Sequence, residues 1–97
     1  MTVDGAGAVS VRVPTILRTY TGGASEVSVR GGTLAEVIEA LESAYPGMRT
    51  RLLDDEGRLR RFVNVYVGDE DVRFAEGLAT PTPAGTSVSV IPAVAGG

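Results

Sequence analysis

The sequence contains no cysteine and no histidine. Thiolate nucleophiles, disulfides, cysteine-ligated zinc or iron–sulfur centres and imidazole general bases are therefore excluded. Carboxylate, hydroxyl and arginine chemistry remain, but a chain of 97 residues has little room to gather such groups in an enclosed pocket. Lysine is absent too, so all nine positive charges are arginines. Background codon composition accounts for this, and so does a reading in which a chain with an activated C-terminal acyl group lacks amines that would attack it. No apolar run approaches membrane-spanning length, and the first residues lack the cationic start and apolar stretch of a signal peptide. The expected location is the cytoplasm, with no membrane partner.

What is present describes a single folded unit. A hydrophobic fraction of 43% with 22% charge is ordinary for a globular chain, and 97 residues support one core but not two. The net charge of -3 leaves no basic footprint for nucleic acid, and segment 58–61 (RLRR) reads as solvated surface.

Alternation marks the strands. Val9, Val11 and Val13 alternate with polar residues until Pro14, and Val27 and Val29 repeat the pattern, so the two segments predict a hairpin. Segment 33–36 (TLAE) reads as a capping box in which the Thr33 hydroxyl accepts from the amide of residue 36 while Glu36 reaches back. Leu34, Val37, Ile38, Leu41 and Tyr45 then recur at helical spacing on one face, with Glu36, Glu39, Glu42 and Ser43 outward. Pro46 and Gly47 stop the helix, residues 48–53 add a short helical turn, and 54–57 (DDEG) form a loop tip. Segment 62–67 (FVNVYV) predicts a central strand, 72–74 (VRF) a short edge strand and 87–91 (SVSVI) the last strand. The order β, β, α, β, β, β gives an α+β layer with the helix over one sheet face. Opposite the inward valines lie Phe62, Tyr66 and Ile91, which either form a partner surface or sit beneath a loop.

Residues 92–97 (PAVAGG) end the chain with small side chains only. Extended, six residues reach roughly 20 Å, enough to enter a partner's active site. Gly96 and Gly97 lack Cβ atoms, so the backbone can pass a narrow channel and the terminal carbonyl is open to attack. A carboxylate must be activated first, for instance as an acyl-adenylate, before sulfur can displace AMP to leave a thiocarboxylate. This chain has neither a phosphate-binding loop motif nor cysteine for that chemistry, so it is expected to be carrier or substrate rather than enzyme. Chance alone would end about 2% of chains of this glycine content in Gly-Gly, so the dipeptide is informative through its position after a final strand.

Segments 13–17 (VPTIL), 61–67 (RFVNVYV), 69–74 (DEDVRF), 77–80 (GLAT) and 91–97 (IPAVAGG) together resemble the β-grasp sulfur carriers of the ThiS and MoaD type, in the branch that serves cysteine biosynthesis. The resemblance implies a ubiquitin-like β-grasp: a mixed sheet of about five strands on one main helix, spanning 9–91, with an N-terminal extension at 1–8 and a flexible tail at 92–97. It implies that Gly97 bears the adenylate and then the sulfur, and that Val94, Ala95 and Gly96 thread into partners. It implies no bound cofactor or metal. ATP would be used by an E1-like adenylating enzyme, and the sulfur acceptor would be a pyridoxal-phosphate-dependent cysteine synthase or another sulfurtransferase, with a metallopeptidase following in the cysteine branch. Three alternatives stand beside this: the small subunit of molybdopterin synthase, a ubiquitin-like modifier joined through Gly97 to lysine, and a passive binding domain with an incidental terminus.

Overall fold

A computed structural model describes residues 8–61 and 63–92. Five strands form one sheet: β1 (Ala8–Arg12), β2 (Glu26–Arg30), β3 (Val63–Val67), β4 (Glu70–Asp71) and β5 (Ser87–Pro92). Their order across the sheet is β2-β1-β5-β3-β4. β1 runs antiparallel to β2 and parallel to β5, while β3 is antiparallel to both β5 and β4. The sheet is therefore mixed, as expected, with β5 at its centre.

Period-two alternation puts Val9, Val11, Val65, Val88 and Val90 on one face, all buried. The register stacks them: Val11 pairs with Val88, which pairs with Val67, and Val90 pairs with Val65. Across this valine layer lies α1 (Leu34–Ala44), with Leu34, Val37, Ile38 and Leu41 buried against it. Each such side chain removed from water stabilises the fold by roughly 1.5–3 kcal/mol, which makes the helix–sheet interface the main source of stability. The short helix α2 (Met48–Leu52) adds Met48 and Leu52 to the same core.

Thr33 caps α1 as the sequence predicts, its hydroxyl accepting from the Glu36 amide at 3.3 Å. The return bond differs from the simple capping box: the Glu36 carboxylate accepts from Gly32, one residue earlier, at 2.7 Å. Glu42, expected to point outward, is half-buried and accepts from the amides of Gly47 and Arg49, tying the end of α1 to the start of α2.

Two elements differ from expectation. Residues 72–74 are not an edge strand: β4 ends at Asp71 and Val72–Phe74 form a 3₁₀ turn. The Asp71 carboxylate accepts from the Arg73 amide at 2.9 Å, turning the chain so that Val72 is buried instead of continuing the ladder. The predicted β1–β2 hairpin is not joined by a tight turn either, because Thr15–Thr21 between the strands form a 3₁₀ helix that buries Leu17. At the ends of the sheet, Ala8 already pairs with Arg30 and β5 continues to Pro92, opposite Val63. Proline is tolerated there because β1 pairs only with Ser87, Val88 and Ser89, which leaves the β1-facing edge of β5 open at Pro92.

Candidate functional site

β5 is paired on both sides at its start and on the β3 side alone at Pro92, its last residue. Gly97, Gly96, Ala95 and Val94 lie beyond it, outside the described residues, as does Phe62. What the structure defines is the platform from which that segment departs. The platform has two faces, because successive residues of a strand point to opposite sides.

On the face away from α1, Ile91 is 47% exposed and stands opposite Asn64 on β3. Tyr66 pairs with Ser89, which sets it diagonally from Ile91 on the same face, and it is half-buried. The sequence thus brings these two together as predicted. Neither is closed off from solvent, Ile91 being exposed and Tyr66 half-buried. Beside them Arg73 spans the strand, with Nη1 donating to Asn64 Oδ1 at 2.6 Å and Nη2 to the Arg60 carbonyl at 2.7 Å. Phe74, next along the 3₁₀ turn, is 85% exposed.

On the helix side of Pro92 is a cleft of about 700 Å³ that sequence reasoning missed. Leu17, Val63 and Val90 line it with apolar surface, and Arg51, Arg60 and Arg61 line it with positive charge. Arg51 is fixed by Tyr20: its Nε donates to the Tyr20 hydroxyl at 2.7 Å, and its guanidinium carbon lies 5.5 Å from the ring centroid. Arg60 Nε donates to the Thr50 carbonyl at 2.8 Å. Segment 58–61, read from sequence as plain solvated surface, therefore contributes two of the three cleft arginines. No local pattern in the sequence marks the cleft; beside it the 3₁₀ helix leaves Ile16, a large aliphatic residue, 66% exposed.

The buried polar side chains Thr21, Thr80 and Thr82 are engaged locally; the Thr82 hydroxyl, for example, donates to the Gly31 carbonyl at 2.7 Å. Among the described residues no three His, Cys, Asp or Glu side chains gather as a metal site, and no helix is long and apolar enough to cross a membrane.

A family model described as the ThiS family matches residues 11–97, the last two residues of β1 and everything after it. The chain belongs to the ThiS family. It is 56% identical over 91 residues to the sulfur carrier protein CysO of Mycobacterium tuberculosis, covering 92% of this chain and 98% of that one. Among solved structures, a BexX/CysO complex from Amycolatopsis orientalis contains a chain that matches with a TM-score of 0.86 and 49% identity, over 92% of this chain and 99% of that one. Small archaeal modifier protein 3 of Haloferax volcanii is 40% identical over 65 residues, 67% of this chain and 70% of that relative. The mixed sheet on one helix is thus the ubiquitin-like β-grasp of ThiS-family, CysO-like proteins, as the resemblance implied.

Proposed function

We propose that this ThiS-family chain is a sulfur carrier that works through Gly97. The Gly97 carboxylate attacks the α-phosphorus of ATP on an adenylating enzyme and releases pyrophosphate. Sulfide or a bound sulfur donor at the same oxidation level then attacks the acyl carbon and expels AMP. One carboxylate oxygen is replaced by sulfur with no net oxidation or reduction. The thiocarboxylate passes its sulfur to an acceptor enzyme, a pyridoxal-phosphate-dependent cysteine synthase or another sulfurtransferase, and a metallopeptidase acts afterwards in the cysteine branch. ATP, pyridoxal phosphate and metal belong to those partners, and this chain is their cosubstrate, working in the cytoplasm.

The observation that carries this reading is the 56% identity to a sulfur carrier over 98% of that relative, together with a family match that runs to residue 97. Val94, Ala95 and Gly96 thread the partner's channel, because small side chains let an extended backbone pass. Phe62, Tyr66 and Ile91 form the patch on which the partner rests. For Tyr66 and Ile91 the support is their shared open face beside the root of the tail.

Intact-mass spectrometry after incubation with ATP, sulfide and the adenylating enzyme tests the proposal: exchange of one terminal oxygen for sulfur adds about 16 Da. A chain that gains neither this mass nor an adenylate with a competent activator is not such a carrier. The likeness to an archaeal modifier supports a second reading, in which Gly97 is joined to a lysine of another protein. Gly-Gly remnants on target lysines in digests, without thiocarboxylate, would favour it.

A further inference from the structure

We propose that the cleft on the helix side of Pro92 docks an acidic, apolar-tipped rim of the enzyme that adenylates Gly97. The inference rests on the sulfur-carrier reading and names the surface chemistry of the partner.

Position comes first. Pro92 lines the cleft, and five residues lead from it to the end of the chain at Gly97. Fully extended they span at most about 17 Å. An active site that holds the Gly97 carboxylate must bring its mouth within that distance of Pro92. Ile91 and Pro92 point to opposite sides of the sheet, so a mouth that surrounds the tail meets the cleft as well as the open face.

Charge then selects the occupant. The whole chain carries a net charge of -3, yet three arginines line this cleft against one carboxylate, Asp54. The two salt bridges among the described residues use Arg49 and Arg58 and none of these three. Arg51 and Arg60 each hold a neutral oxygen through Nε, the Tyr20 hydroxyl and the Thr50 carbonyl, which orders the side chains without neutralising them. A positively charged site in an acidic protein is complementary to carboxylates. Its floor of Leu17, Val63 and Val90 and the exposed Ile16 at its side suit an aliphatic or aromatic tip between those carboxylates.

Steady-state pyrophosphate release by the adenylating enzyme, with the full chain as substrate, tests this. Arg51→Glu/Arg61→Glu should raise KM at least about tenfold, leave kcat at saturation unchanged and flatten the rise of KM with salt, while the double lysine variant keeps most of the wild-type KM. A folded charge-reversed variant with the wild-type KM and salt dependence overturns the proposal. A lower KM would also overturn it, by showing that the arginines hold back this chain's own terminal carboxylate. A wild-type dimer in sedimentation that the variant abolishes would assign the cleft to a second copy instead. If the double variant does not fold, Ile16→Asp decides, since that side chain is exposed and its loss should raise KM in the same way. Failure of wild type itself to release pyrophosphate counts against the sulfur-carrier reading; a defect or its absence in the variants, with wild type active, judges the cleft alone.

Discussion

A Cβ at Gly47 would lie 2.9 Å from two ring carbons of Tyr20, so the ring rests where only glycine leaves space. Gly47 also has φ +103°, a conformation that side chains rarely adopt. The same Tyr20 accepts from Arg51 and lines the cleft. The turn that ends α1 thus helps to set the position of a cleft arginine.

From this contact, Gly47→Ala should destabilise the fold by about 2 kcal/mol or more, combining backbone strain with displacement of the ring. Gly57→Ala is the control: its φ is +80° but no atom lies within 4 Å of the added carbon, so strain alone applies and the cost should be about 1 kcal/mol. Urea unfolding of the pair measures the difference. Equal midpoints would mean that Tyr20 moves aside at no cost.

The α1 cap gives a second prediction. Thr33→Ala removes the acceptor for the Glu36 amide and should cost about 1 kcal/mol, whereas Glu36→Gln keeps an acceptor for the exposed Gly32 amide and should be nearly neutral. For a domain of this size, 1 kcal/mol lowers the thermal midpoint by roughly 4–8 °C, which calorimetry resolves.

Alternation and capping made the β-grasp legible because each is a local signal. Val9 and Val11, or Val63 and Val65, declare a buried face within one strand, and Thr33 with Glu36 declares a helix start within four residues. The 3₁₀ helix Thr15–Thr21 carries no such signal: Ile16, Leu17 and Tyr20 are too few to establish a period, and Gly22 beyond them looks like a turn residue. Val72–Phe74 misled because β-branched and aromatic residues suggest a strand, while the Asp71 side chain redirects the backbone. The cleft could not be read at all, since Ile16, Arg51 and Val90 meet only after the sheet, α2 and the 3₁₀ helix have formed. Gly97 stands out through resemblance and chemistry rather than periodicity, and the family match bears out the resemblance.

The open sheet face supports a third prediction. Ile91→Asp places a charge at a 47% exposed position, so it should leave the fold intact while weakening the complex with the adenylating enzyme by about tenfold or more, the scale expected of a central apolar anchor. Tyr66→Ala should act in the same direction, with some loss of stability because Tyr66 is half-buried. Calorimetric titration of folded variants checks both. Unchanged affinity in Ile91→Asp would remove this face from the interface.

Length of the tail provides the test of threading. Deleting Val94 and Ala95 keeps Gly96 and Gly97 but shortens the reach from Pro92 by about 7 Å. If the adenylating enzyme engages the platform while Gly97 occupies its active site, the shortened chain should still bind and compete with wild type, yet be adenylated and sulfurated far more slowly. Replacing the pair with Gly-Gly restores length without the apolar side chains and should recover most of the rate. Deleting Gly97 alone leaves the carboxylate on Gly96, about 3.5 Å short of its place, and should slow sulfuration less than the two-residue deletion does. Intact-mass spectrometry reads all three variants, and sulfuration of the shortened tail at the wild-type rate would show that the enzyme reads Gly-Gly alone, with no measured distance from the sheet.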